Sequence, residues 1–167
     1  MTQVAVLVIS NKILSGQEPD KIRKTLESTL TNHQMTILSY DIVSDDRQAI
    51  GRRLATLCEN PTPHVVLTLG GTGVRPTDWA PEATRDVIDK EIPGIGEAMR
   101  AESLKKVRTA MLSRGIAGIK GNTLVINLPG RVKGAQENLD IVLPLLDHII
   151  EKISDAGAIC SPGVPDN

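Results

Sequence analysis

Apolar runs rich in β-branched residues alternate with stretches in which apolar residues recur every three or four positions, and this alternation sets the first expectations for the fold. Residues 3–9 form one such run, ending at Ser10-Asn11, and read as a strand covered on both faces. Pro19-Asp20 then opens a helix whose apolar positions are Ile22, Leu26 and Leu30. A second strand is expected over residues 35–43. Ser44 or Asp45 can cap the following helix, which carries Ile50, Leu54 and Leu57 and is ended by residues 60–63. Residues 65–69, Val-Val-Leu-Thr-Leu, make a third strand that breaks at Gly70-Gly71-Thr72-Gly73. Beyond Asp78, Pro81-Glu82-Ala83-Thr84 starts a helix expected to run to Asp89.

The second half is less regular. Pro93-Gly94 interrupts the pattern, and residues 95–106 are again helical. Residues 111–119 and 123–128 read as two strands of a small β-hairpin around Lys120-Gly121-Asn122, followed by a turn at Pro129-Gly130. The last helix, residues 133–153, lines up Leu139, Val142, Leu143, Leu146, Ile149, Ile150 and Ile153, with Pro144 placed to kink it or split off its first turns. Strands alternating with helices call for an α/β fold with a mostly parallel sheet, in which ligands gather at the carboxyl ends of the strands. The loops at Ser10-Asn11, at Ser44-Asp45-Asp46 and from Gly70 to Asp78 therefore converge. Residues 1–153 make one domain, and the Gly/Pro-rich residues 154–167 a loosely ordered C-terminal tail.

Composition narrows the function classes. With one Trp, one Tyr and no Phe, the chain lacks the aromatic faces on which single-stranded nucleic acid stacks. A formal net charge of −1 supplies no overall basic field for nucleic acid or anionic lipid. No run approaches the roughly 20 apolar residues of a membrane span, and the first run has neither the basic flank nor the length of a signal peptide. Cys58 and Cys160 have no metal-type or redox-type spacing. A soluble, cytoplasmic protein without nucleic-acid or membrane partners is the expectation.

Candidate chemistry centres on the glycine turn. It is neither a phosphate-binding loop of the Gly-Lys-Ser/Thr kind nor a three-glycine dinucleotide fingerprint. Its backbone N–H groups can converge on an anion, with Thr72 adding a hydroxyl, or its glycines can serve only a tight turn. Asp78 gains interest beside such a nest, because Mg²⁺ at phosphoryl-transfer sites is held by one or two carboxylates plus substrate phosphates.

The ordered blocks Leu69-Gly70-Gly71-Thr72-Gly73, Asp78, Pro81-Glu82-Ala83-Thr84, Pro93 to Arg100, Leu112 to Gly118 and Asn127-Leu128-Pro129-Gly130 with Lys133-Gly134 and Glu137-Asn138 resemble the molybdenum cofactor biosynthesis family of MogA and MoaB type. The gephyrin G domain also belongs to that family. The resemblance implies a three-layer α/β/α domain and a molybdopterin adenylyltransferase that joins molybdopterin to ATP with Mg²⁺, releasing pyrophosphate. It also implies a homo-trimer, or a dimer of trimers. The family's essential aspartate falls on Asp78 and a second functional one on Asp45, with Asp46 as the alternative register. Both aspartates are the candidate Mg²⁺ ligands. Gly70, Gly71, Thr72, Gly73, Ser10, Asn11, Ser113, Pro129, Gly130 and Lys133 are the candidate substrate- and phosphate-binding residues.

Each candidate has a plainer reading: Asp45 as a helix cap, Ser113 and Arg114 as a strand end or, for Arg114, a subunit contact, and Lys133 as a solvated residue. The chain also departs from the family pattern. Asn11 stands where an acid is usual, and Asp20-Lys21-Ile22-Arg23 replaces an Asp-x-Ser-Gly segment. Trp79, the only Trp, either stacks on a pterin or adenine ring or covers the loop. Residues 92–106 are placed to form an interface or a lid. A non-catalytic pterin-binding paralogue and an oligomeric scaffold with a vestigial site are the competing readings.

Overall fold

The computed structural model describes residues 1–59 and 62–154. The elements follow in the order β1 (Thr2–Ile9), α1 (Asn11–Leu14), α2 (Ile22–Asn32), β2 (Met35–Val43), α3 (Arg47–Cys58), β3 (Val65–Leu69), α4 (Ala80–Arg85), β4 (Lys90–Glu91), α5 (Pro93–Leu104), a 3-10 turn (Arg108–Leu112), β5 (Ala117–Lys120), β6 (Thr123–Leu128) and α6 (Val132–Ser154). They build a six-stranded sheet in the order β2-β1-β3-β6-β5-β4. β2, β1, β3 and β6 run parallel, while β5 and β4 are antiparallel additions at one edge.

The alternation of side chains along each strand divides the core in two. Val4, Val6 and Val8 of β1, with Val65, Leu67 and Leu69 of β3, pack on α2, α5 and α6. Ala5, Leu7 and Ile9, with Val66 and Val125, pack on α3 and α4. The result is the three-layer α/β/α arrangement with a hairpin of β5 and β6. Leu26, Leu54 and Leu139 are each 2% exposed or less, and burial of a side chain of this size contributes roughly 1.5–3 kcal/mol.

Several expectations need correction. The helix after Asp78 stops at Arg85 rather than Asp89, because the chain must turn to pair Lys90 and Glu91 with β5. Pro93 starts α5 instead of interrupting it: at the first helical position its missing N–H costs nothing. Residues 111–116 are not strand, since Arg108–Leu112 wind into the 3-10 turn. Helix α6 continues past Pro144 without a break. The α3 cap is Asp46, whose carboxylate accepts from Ala49 N at 2.8 Å, and not Ser44 or Asp45. The expected tail and Cys160 lie outside the described residues, as does part of the segment expected to end α3. Cys58 closes α3 half-buried, with burial pushing its thiol up to about 11, which removes it as a nucleophile near neutral pH.

The carboxyl ends of the parallel strands lie level: Ile9 pairs with Val43, Val8 with Leu69, and Leu69 with Leu128. Gly70 leaves β3 at a φ of +103°, and a Cβ built there would stand 2.6 Å from the carbonyl oxygen of Ile9. That oxygen is backbone within the sheet and cannot retreat. Gly70→Ala is therefore expected to destabilise the protein by about 2–4 kcal/mol, the sum of left-handed strain and the clash. Thermal unfolding reads this directly, and an unchanged midpoint would show that the end of β3 can adjust.

Candidate functional site

Four segments meet at this edge of the sheet. Gly70 lies against Gly130, where a Cβ on Gly130 would sit 3.2 Å from the Gly70 Cα, so the glycine turn and the Pro129-Gly130 turn touch backbone to backbone. The β1 and β2 loops are joined by a reciprocal pair: Asn11 N donates to Asp45 Oδ2 and Asp45 N donates to Asn11 Oδ1, both at 3.1 Å. Asp46 is committed to capping α3, whereas the Asp45 carboxylate is turned to the β1 loop through Asn11 N.

The N–H groups of the turn are not equivalent. Gly70 N donates to Leu128 O at 3.0 Å and so has no N–H left for an anion. Gly71, Thr72 and Gly73 donate their backbone N–H to no acceptor among the described residues. Their carbonyl oxygens are engaged instead: Ala80 N donates to Gly71 O, Arg114 N to Thr72 O, and Arg114 Nε to Gly73 O. Outward carbonyls are tied down and the N–H groups are left over, the arrangement of an anion nest.

Asp78 is 4% exposed. Its Oδ2 accepts from Arg75 N at 2.9 Å and from Arg75 Nε at 3.3 Å, while Oδ1 accepts from Arg75 Nη2 at 3.0 Å. Gly73 is required by this contact, since a Cβ there would fall 2.8 Å from Asp78 Oδ2. The charge and hydrogen bonds of Asp78 hold the Arg75 guanidinium protonated, and Asp45 adds to the same effect.

Arg114 is the residue that the sequence left as a strand end or a subunit contact. Within the chain it bolts the turn. Besides Gly73 O, its guanidinium donates to Asp78 O at 2.6 Å and to both carboxylate oxygens of Glu82 in α4. Arg100 Nη1 fastens the same segment through Gly115 O at 2.8 Å. Burial, the largest single influence, pushes the Glu82 carboxyl up, but the Arg114 hydrogen bond, a backbone hydrogen bond and the charges of Arg114 and Arg85 together outweigh it and the net shift is downward. A carboxyl whose folded-state value is lowered contributes stability above its ordinary value of 4.5 and loses it as pH falls through the folded-state value. The difference in melting temperature between wild type and Glu82→Gln is expected to be constant from pH 8 to about 6 and to shrink in acid; a difference that ignores pH would show that the pair contributes nothing.

Beneath the turn, Asn127 Nδ2 donates to Thr68 Oγ1 at 2.9 Å and Thr84 Oγ1 at 2.8 Å, and its Oδ1 accepts from Ile116 N at 3.3 Å. All three side chains are 1% exposed or less, so this satisfied network pins α4 and the strand preceding the turn to β6. Its signal in the sequence was a polar residue inside each of two apolar strands, Thr68 and Asn127, which the register pairs directly.

The remaining candidates are placed less centrally. Ser10 Oγ accepts from Ile13 N and caps α1. Ser113 Oγ accepts from Gly115 N at 3.4 Å and adjoins the turn through Arg114. Lys133 is exposed in the first turn of α6. Trp79 is 37% exposed and precedes α4, its carbonyl accepting from Ala83 N. Asp20 Oδ1 accepts from Ile22 N and Arg23 N at the start of α2 and its Oδ2 from Tyr40 OH at 2.7 Å, while Arg23 is tied to Glu27 and lies 4.7 Å over the Tyr40 ring. That segment is therefore spent on its own packing.

Residues 5–148 match the family model described as "Probable molybdopterin binding domain". The chain is 39% identical over 152 residues to the molybdopterin adenylyltransferase of Helicobacter pylori, covering 90% of this chain and 86% of that protein. It is 38% identical over 140 residues to the molybdopterin adenylyltransferase of Escherichia coli, covering 83% of this chain and 72% of that one. Among solved structures, the molybdopterin biosynthesis enzyme MoaB of Thermus thermophilus superimposes with a TM-score of 0.86 at 38% identity, over 92% of this chain and 97% of that one. A glycine turn with unspent N–H groups beside a buried aspartate, on this fold and with this breadth of similarity, places the chain in the molybdopterin-binding domain family of the MogA and MoaB proteins.

Proposed function

We propose that the protein is a molybdopterin adenylyltransferase of molybdenum cofactor biosynthesis, with ATP and molybdopterin as substrates. The observation that carries this reading is the set of free N–H groups at Gly71, Thr72 and Gly73 next to the buried carboxylate of Asp78. The names of the relatives point the same way. In the reaction an oxygen of the molybdopterin terminal phosphate forms a bond to the α-phosphorus of ATP. The bond from that phosphorus to the bridging oxygen breaks, and pyrophosphate leaves with the electron pair.

No protein nucleophile is needed, so the chain acts by positioning and charge. The nest holds a phosphate, and Arg114 keeps the nest rigid. Ser113, Pro129 and Gly130 border the substrate, with Lys133 as a further cation at the rim. Asp78 and Asp45 suit Mg²⁺ as two carboxylates on strand-end loops, the first buried beside the nest and the second held by the β1 loop. They would hold the ion, which when bound neutralises charge on the phosphates and takes its other ligands from water and substrate.

The non-catalytic alternative rests on Asn11. Its side chain accepts from Asp45 N through Oδ1, a task that a carboxylate oxygen would perform as well. The neutral amide keeps this pairing of the two loops and leaves the Asp45 carboxylate as its charged member. The proposed assembly is a homo-trimer or dimer of trimers, and the exposed apolar side chains Leu104, Val107, Met111 and Leu112 offer a face to a second copy. A cytoplasmic location accords with this chemistry. Incubation with molybdopterin, ATP and Mg²⁺, followed by pyrophosphate release, tests the whole reading. Release supports the enzyme, tight pterin binding without release supports the paralogue, and neither supports the scaffold.

A further inference from the structure

We propose that Arg75 is a phosphate-binding residue of the nucleotide site, held in the ligand-free chain on the Asp78 carboxylate, where its guanidinium occupies the place of a divalent cation. The inference rests on the adenylyl-transfer reading and adds a residue to it that the sequence did not single out.

The contact is asymmetric. The Asp78 side chain is 3% exposed and that of Arg75 is 73% exposed. Both carboxylate oxygens accept from the guanidinium, at 3.3 Å and 3.0 Å, so a cation that takes Asp78 competes with Arg75 for the same oxygens. The Asp45 charge falls on the same guanidinium. Leaving is eased on the arginine's side, because its guanidinium already stands largely in water, and on the aspartate's side by the cation that replaces it. Asp78 does not lose its orientation when the side chain departs, since Arg75 N continues to donate to Oδ2 at 2.9 Å.

A destination for the guanidinium lies within the same turn. Gly71, Thr72 and Gly73 present free N–H groups, and the planar fork of an arginine matches a phosphate better than a point charge does. When the polyphosphate of a nucleotide settles on the nest, Arg75 exchanges one anion for another. Asp78 is then released to the cation that accompanies the nucleotide. Two cations therefore compete for Asp78 in the absence of nucleotide and cooperate in its presence, which makes metal and nucleotide binding mutually reinforcing.

The test separates this role from a merely structural one by the direction of two affinities. Mn²⁺ alone is titrated into wild type, Arg75→Ala and Arg75→Lys, with free Mn²⁺ read by electron paramagnetic resonance. Mg-ATP is titrated by calorimetry. Arg75→Ala is expected to bind Mn²⁺ alone roughly tenfold more tightly and Mg-ATP roughly tenfold more weakly. A structural cover would weaken both. Unchanged or weaker Mn²⁺ binding, or unchanged Mg-ATP binding, overturns the proposal. If Arg75→Ala fails to fold, Arg75→Lys, which keeps the charge and loses the fork, carries the same comparison with smaller shifts. Wild type that binds no Mg-ATP overturns the adenylyl-transfer reading itself, whereas wild type that binds it with an indifferent Arg75→Ala overturns only the role of Arg75.

Discussion

Asp78→Asn is expected to lower the rate of pyrophosphate release by on the order of 10²- to 10³-fold, the size typical of removing one charge contact from a transition state, while the folded protein persists. The amide is nearly isosteric and its oxygen can still accept from Arg75 N, so the loop keeps its course. The Arg75 guanidinium loses its partner but stands 73% exposed and is rehydrated at little cost. What disappears is the negative charge in a site that must hold a cation and two polyanions. A matched pair of measurements checks this: turnover with molybdopterin, ATP and Mg²⁺, and the thermal midpoint. Wild-type turnover in Asp78→Asn would remove Asp78 from the chemistry.

Arg114→Ala is expected to lower stability by about 2–4 kcal/mol, between the values for exposed and buried ion pairs. For a chain of this size that is a fall of roughly 5–12 °C in the melting temperature. The reason is the number of groups stranded at once. Gly73 O, Asp78 O and the Glu82 carboxylate all lose their donor, and the turn loses its link to α4. Turnover should fall as well, because the nest is no longer rigid. Glu82→Gln leaves both carbonyl contacts in place and should retain most of the activity. If Arg114→Ala melts where wild type does, the bolt carries no weight.

How much of this was legible varies with the distance over which each feature is decided. The strands expected over residues 35–43, 65–69 and 123–128 form with those bounds, the last two because an apolar run has few alternatives once both faces are covered, and the first as a half-exposed edge strand. The strand Lys90–Glu91 was invisible: two charged, exposed residues become a strand only because β5 offers its edge. The α3 cap was misplaced by local reading for a related reason. Ser44, Asp45 and Asp46 all suit a cap, and the choice falls to Asp46 once Asn11, from another loop, engages Asp45.

By itself, the sequence determined the layered α/β plan, the glycine turn at the carboxyl edge of the sheet and the family whose blocks surround it. Periodicity and turn chemistry act over a few residues, so they can be read without coordinates. Only the tertiary structure decided which polar groups are spent and which are left. Gly70 and Gly71 look alike in the chain, but only Gly70 N is consumed, by Leu128 across the sheet. Arg114, separated from Gly73 by 41 positions, becomes its closest support only when β5 and β6 fold back beside β3. Hydrogen-bond satisfaction is a property of the whole packed molecule, and the chemistry of this turn depends on the donors that packing leaves unpaired.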